Sequence, residues 1–64
     1  MKKGRLIKIE EVMRLCAMSR ATLYRMLANN NFPHQVSVTG SRAVAWYEED
    51  VYKWINERPL KKEE

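Results

Sequence analysis

One helix in this chain is marked at both of its ends. Ser19 is a good N-cap, because its hydroxyl can accept a bond from an unpaired amide of the first turn. Downstream, Asn29-Asn30-Asn31 offers residues that tolerate the left-handed backbone closing a helix, and Phe32-Pro33 blocks any continuation. Between these ends Leu23, Met26 and Leu27 recur at helical spacing as one apolar stripe, which predicts a helix from Ser19 to about Asn29. Ala21, Thr22, Arg25 and Ala28 point the other way, with Arg20 exposed at the start. The free face therefore combines arginines, a hydroxyl and small side chains. A helix needs that composition to lie in a DNA major groove, where bulk must be low and donors must reach base edges and phosphates.

The flanking segments complete a small architecture. Residues 1–5 read as a loose basic arm, and Leu6-Ile7 as a short extended piece. Ile9, Val12, Met13 and Cys16 form a helical stripe, predicting a first helix from Ile9 to about Leu15 with Glu10 and Glu11 in the turn where the dipole favours negative charge. Lys8 precedes it, so this helix lacks a good side-chain cap. Cys16-Ala17-Met18 forms the turn into the second helix. Gln35–Thr39 and Ala43–Tyr47 both alternate in the manner of strands, and Gly40-Ser41-Arg42 between them predicts a β-hairpin. A last helix opens in Glu48-Glu49-Asp50, buries Val51, Trp54 and Ile55, and ends at Pro59; residues 60–64 make a charged tail. The expected fold class is α+β, mainly α: a single winged helix–turn–helix domain over residues 1–64, with a two-stranded hairpin wing and a C-terminal helix.

Charge is sorted along the chain. There are 12 Lys+Arg against 8 Asp+Glu, a formal net charge of +4. No acidic residue lies between Glu11 and Glu48, yet Arg14, Arg20, Arg25 and Arg42 all do. A basic middle with its acids placed elsewhere is an electrostatic footprint for a polyanion, although four arginines can also be no more than a solvated face.

Size sets what the chain can do. A domain of 64 residues buries only about 60% of its extended surface, leaving no room for an enclosed substrate pocket. No nucleophile–base pair, paired carboxylates, phosphate loop or metal set is visible, so neither an enzyme nor a cofactor is expected. The acids at 48–50 are explained by opening a helix, and the single Cys16 and single His34 offer no metal-ligand spacing. One cysteine forms no internal disulfide, and no apolar run nears the roughly 20 residues of a membrane span. No apolar segment follows the basic start, so a signal peptide is not expected; the expected location is cytoplasmic, at the nucleoid.

The residues assigned to DNA are Ser19, Arg20, Thr22, Tyr24, Arg25, Ser41 and Arg42. Arginine reads guanine through two parallel bonds to O6 and N7, and it also grips phosphate; the sequence leaves open which of Arg20 and Arg25 meets a base. Thr22 suits a thymine methyl or a phosphate, and equally plain surface. Tyr24 lies between the stripe and the free face, either donating to a phosphate or half-buried in the core. Gly40 and Ser41 keep the wing turn small, and Arg42 there suits phosphate contact or insertion into a narrow minor groove. Trp46 and Trp54 lie on apolar stripes and are assigned to the core.

Taken together, Met18–Arg25, Asn31-Phe32-Pro33, Arg42–Trp46 and Val51–Ile55 make the sequence resemble the AlpA-like family of small phage and genomic-island regulators, related to excisionases and to the DNA-binding part of MerR-like proteins. The resemblance spans residues 6–58. It implies a winged helix–turn–helix and a role in activating an integrase gene or steering site-specific recombination toward excision. It also implies double-stranded DNA of an attachment region or integrase promoter as partner, with integrase contact and cooperative self-association on DNA. The family pattern often has glycine in the turn where this chain has Ala17; a left-handed alanine there costs ~1 kcal/mol. The alternative from another class is a small protein-binding adaptor acting on an integrase or response regulator through Tyr24, Tyr52 and the basic surface.

Overall fold

The computed structural model describes residues 4–40 and 42–61. The elements run β1 (Leu6–Ile7), α1 (Ile9–Cys16), α2 (Arg20–Ala28), β2 (Val36–Ser37), β3 (Val44–Tyr47) and α3 (Glu48–Asn56). This is the expected α+β order of helix, turn, helix, hairpin and helix.

Each boundary has a local cause. Lys8 is extended and gives α1 no side-chain cap, so the helix begins on backbone alone: the Lys8 carbonyl accepts from the amides of Glu11 and Val12, both at 3.0 Å. Ala17 takes the left-handed conformation (φ 56°), and its amide and that of Met18 both turn back to the Met13 carbonyl. Cys16 is thus the last residue of α1, and the turn begins one residue later than the sequence predicts. Ser19 caps α2, its Oγ accepting from the Thr22 amide at 3.2 Å. At the far end Asn30 is left-handed (φ 59°), and the amides of Asn30 and Asn31 close onto the carbonyls of Leu27 and Met26. Asparagine is one of the few residues besides glycine suited to that position.

The sheet differs from expectation in one respect. Its order is β1-β3-β2, antiparallel throughout, so the wing is part of a three-stranded sheet. β2 pairs β3 as predicted, with Val36 opposite Ala45 and Ser37 opposite Val44. The regular strands are shorter than the alternation suggests, but the Val38 amide still donates to the Ala43 carbonyl at 2.8 Å, carrying the hairpin toward its tip. Gly40 at the tip has φ 84°, and its amide donates to Ser37 Oγ at 2.8 Å. On the other side of β3, Leu6 pairs with Tyr47 and Ile7 with Trp46. Two residues are too few to show a strand period, which is why Leu6-Ile7 reads only as extended in the sequence.

These elements close over one core of Ile7, Val12, Leu23, Leu27, Phe32, Trp46 and Val51. Trp46 is 1% exposed, and its indole Nε1 donates to the Pro33 carbonyl at 2.9 Å, so burial leaves no orphaned donor. Trp54 sits at the rim instead of the centre. It is half-buried, meets Phe32 edge-on at 4.8 Å, donates to the Asn31 carbonyl at 2.9 Å and is covered by the Arg58 guanidinium at 3.9 Å. Arg5, expected in a loose arm, is tied down: its carbonyl accepts from the Glu48 amide and its guanidinium pairs with the Glu48 carboxylate at 3.1 Å. Lys2 and Lys3 of that arm lie outside the described residues. No helix among the described residues is long and apolar enough to cross a membrane.

Candidate nucleic-acid interface

The inner face of α2 fixes its outer face. Leu23 is fully buried, Leu27 nearly so, and Met26 packs against the same core. Successive residues turn by about 100° around a helix, so the direction opposite these three belongs to Ala21, Arg25 and Ala28. All three are exposed. Arg25 therefore stands at the centre of the free face between two alanines, with nothing bulky beside it. Arg20 and Tyr24, one turn apart, lie together on the flank turned toward α1 and the hairpin; Thr22 lies on the opposite flank. Tyr24 is 47% exposed and lies outside the buried core cluster.

The first turn of α2 is wired locally. The Ser19 hydroxyl donates to Thr22 Oγ1 at 3.0 Å, and Arg25 Nη2 reaches the same oxygen at 3.5 Å. Thr22 Oγ1 thus accepts from two neighbours while its own proton remains available to donate. At 3.5 Å the Arg25 contact is long, so its guanidinium is only loosely held and most of its donor capacity is unused.

The stretch without acids in the sequence is not acid-free in space. Glu11 forms a two-pronged bond with Arg14 on α1, with Nε to Oε1 at 3.2 Å, and the bond and charge of Glu11 raise the Arg14 pKa above its ordinary value. Glu48 raises that of Arg5 in the same way. Glu10 approaches Arg20, Oε2 to Nη2 at 3.9 Å, with both side chains more than half exposed. Such a pair is weakened by solvent and easily exchanged for another anion. Sequence separation hides this contact, because Glu10 and Arg20 share no helix and no period.

A groove of about 340 Å³ joins the helix to the wing. Lys8, Ile9 and Glu10 line it from the start of α1, Tyr24 from α2, and Val38, Arg42, Ala43 and Val44 from the hairpin. No sequence pattern points to Lys8, Glu10 or Val38; only the tertiary fold places them beside Tyr24 and Arg42. Arg42 is exposed at the wing, and Ser41 lies outside the described residues. Ser19, Arg20, Thr22, Tyr24 and Arg25 share α2 and its cap, and the groove connects that helix to Arg42.

Elsewhere the titratable groups have structural explanations. Cys16 is half-buried, and burial raises its thiol pKa. His34 Nε2 pairs with Asn30 Oδ1 at 3.0 Å beside the end of α2. Among the described residues no three His, Cys, Asp or Glu side chains gather as a metal site would require.

Comparison with known proteins fits this arrangement. Residues 5–59 match the family model described as Prophage CP4-57 regulatory protein (AlpA). The uncharacterized protein ORF88 of Enterobacteria phage P4 is 41% identical over 51 residues, a match covering 80% of this chain and 57% of that protein. The matched region therefore spans less than two thirds of that relative's length. No solved structure matches the chain. With residues 5–59 covered by that match, the chain belongs to the AlpA family of prophage regulatory proteins.

Proposed function

We propose that this protein is a sequence-specific duplex-DNA-binding regulator of a prophage or genomic island, acting on an integrase gene or turning site-specific recombination toward excision. The observation that supports it most is the outward face of α2: an exposed Arg25 between Ala21 and Ala28, directly opposite the buried Leu23 and Leu27. A major groove is wide enough for a helix, provided that face is slim. Arg25 at the centre reads a base edge, and guanine is the partner its fork matches. Ser19, Arg20, Thr22 and Tyr24 at the margins hold sugar and phosphate, which position the helix without reading sequence. Ser41 and Arg42 bring the wing onto the neighbouring backbone. So small a surface binds one half-site weakly. Several copies on adjacent sites, in contact with one another and with integrase, supply the affinity.

The test is footprinting over the attachment region and integrase promoter of the host element, beside selection of sites from a random duplex pool. A protected site is expected, with a log–log salt slope of several units, each neutralised phosphate adding about 0.9. Folded protein that protects nothing at moderate salt overturns the reading. Excision assays with and without the protein then separate a recombination role from a purely transcriptional one.

A further inference from the structure

Resting on the DNA-binding reading above, we infer that the groove between α1, α2 and the wing holds one strand of the DNA backbone, and that Glu10 is a built-in competitor for its phosphate. Two cations line this path from separate elements, Lys8 ahead of α1 and Arg42 on the wing, and a third, Arg20 at the head of α2, faces the lining residue Glu10. The Tyr24 hydroxyl supplies a further donor on the α2 side. Val38, 49% exposed, offers an apolar surface that suits a deoxyribose ring between phosphates. A lone carboxylate is the wrong chemistry for such a groove, yet Glu10 lines it and lies 3.9 Å from Arg20 Nη2. Its position is where an anion meets that guanidinium. In the free protein Glu10 fills the role; on DNA a phosphate displaces it. The pair is exposed, so the displacement is easy, but it removes part of the sequence-independent affinity that Arg20 would otherwise give. The result weakens adhesion to arbitrary DNA while leaving base reading by Arg25 untouched.

The experiment measures affinity for a random-sequence duplex, at several salt concentrations, for wild type, Glu10→Gln, Arg20→Gln, the double variant and Lys8→Gln. Circular dichroism melts check that each is folded. Glu10→Gln is expected to bind about two- to fivefold tighter than wild type, the range that an exposed ion pair can contribute. The gain disappears when Arg20 is already glutamine, because Glu10 acts through that side chain. Lys8→Gln lowers the salt slope by about 0.9, the share of one phosphate. Unchanged affinity in Glu10→Gln, or an equal gain with and without Arg20, overturns the competitor. An unchanged slope in Lys8→Gln shows that the backbone does not run through the groove. If wild type binds while these variants behave like it, this inference fails alone; if wild type binds no duplex, the DNA-binding reading fails with it.

Discussion

The indole N–H of Trp46 donates to the carbonyl of Pro33 at 2.9 Å, tying the central strand of the sheet to the segment that leaves the second helix. That bond is partly buried, and it links the wing's central strand to the segment following α2. Replacing Trp46 with Phe removes the donor, leaves the Pro33 carbonyl without it and opens a void in the core cluster. We expect a loss of about 2–4 kcal/mol in urea unfolding, from the unsatisfied acceptor and the cavity together. In a domain this small that loss lowers the melting temperature by well over 10 °C, since each kcal/mol is worth roughly 4–8 °C. A change within experimental error would show that the wing is held by other contacts.

Ala17 is the opposite case, a place where the chain is less stable than it could be. Its left-handed backbone costs an alanine but not a glycine. Ala17→Gly should raise stability by about 0.5–1 kcal/mol, the strain relieved less the extra freedom glycine gains when unfolded. The urea midpoint reads this directly. A lower midpoint would mean that the alanine methyl makes contacts worth more than the strain.

Ser19 joins stability to the interface. Ser19→Ala deletes the acceptor for the Thr22 amide and costs about 1 kcal/mol. It also removes the hydroxyl that donates to Thr22 Oγ1, loosening the network on which Arg25 rests. Ser19→Asp keeps an acceptor for the amide and should recover most of the stability. It also places a negative charge where phosphate is proposed to lie, so DNA binding should stay weak. Parallel recovery of stability and binding in Ser19→Asp would argue that Ser19 is a cap and nothing more.

The thiol of Cys16 offers a pH-dependent check on the core. Burial raises its folded pKa above the ordinary cysteine value, so the neutral form is favoured by folding. The sign follows: this stabilisation is fully present below the unfolded pKa and is lost as pH rises through the folded one. Modification by a thiol reagent at neutral pH should be slow in the folded protein and faster in urea, and it should accelerate in alkali. Equal rates in both states at neutral pH would show that Cys16 is not shielded.

Much of this is legible in the sequence alone. Ser19, the asparagine run and Pro33 mark the second helix because caps and breakers act through their own local backbone, and the Leu23–Leu27 stripe fixes its inner face by period alone. Leu6-Ile7 could not be recognised as a strand, since two residues carry no period and their partner, Trp46-Tyr47, lies far along the chain. An apolar stripe assigns Trp54 to the core because it does not distinguish centre from rim; its edge-on contact with Phe32 and its Arg58 cover do. Composition and spacing mark the arginines of α2. The Glu10–Arg20 pair and the groove leading to Arg42 depend on how three elements pack, which no local pattern encodes.

The whole account rests on the outward face of α2, and Arg25 stands at its centre. The decisive measurement is the affinity of wild type and Arg25→Ala for a selected duplex and for random sequence at one salt concentration. If Arg25 reads a base, the variant loses about 1–3 kcal/mol on the selected duplex, and much less on random DNA. An equal loss on both would reduce Arg25 to a phosphate grip, and no loss on either would contradict the claim that this face meets DNA.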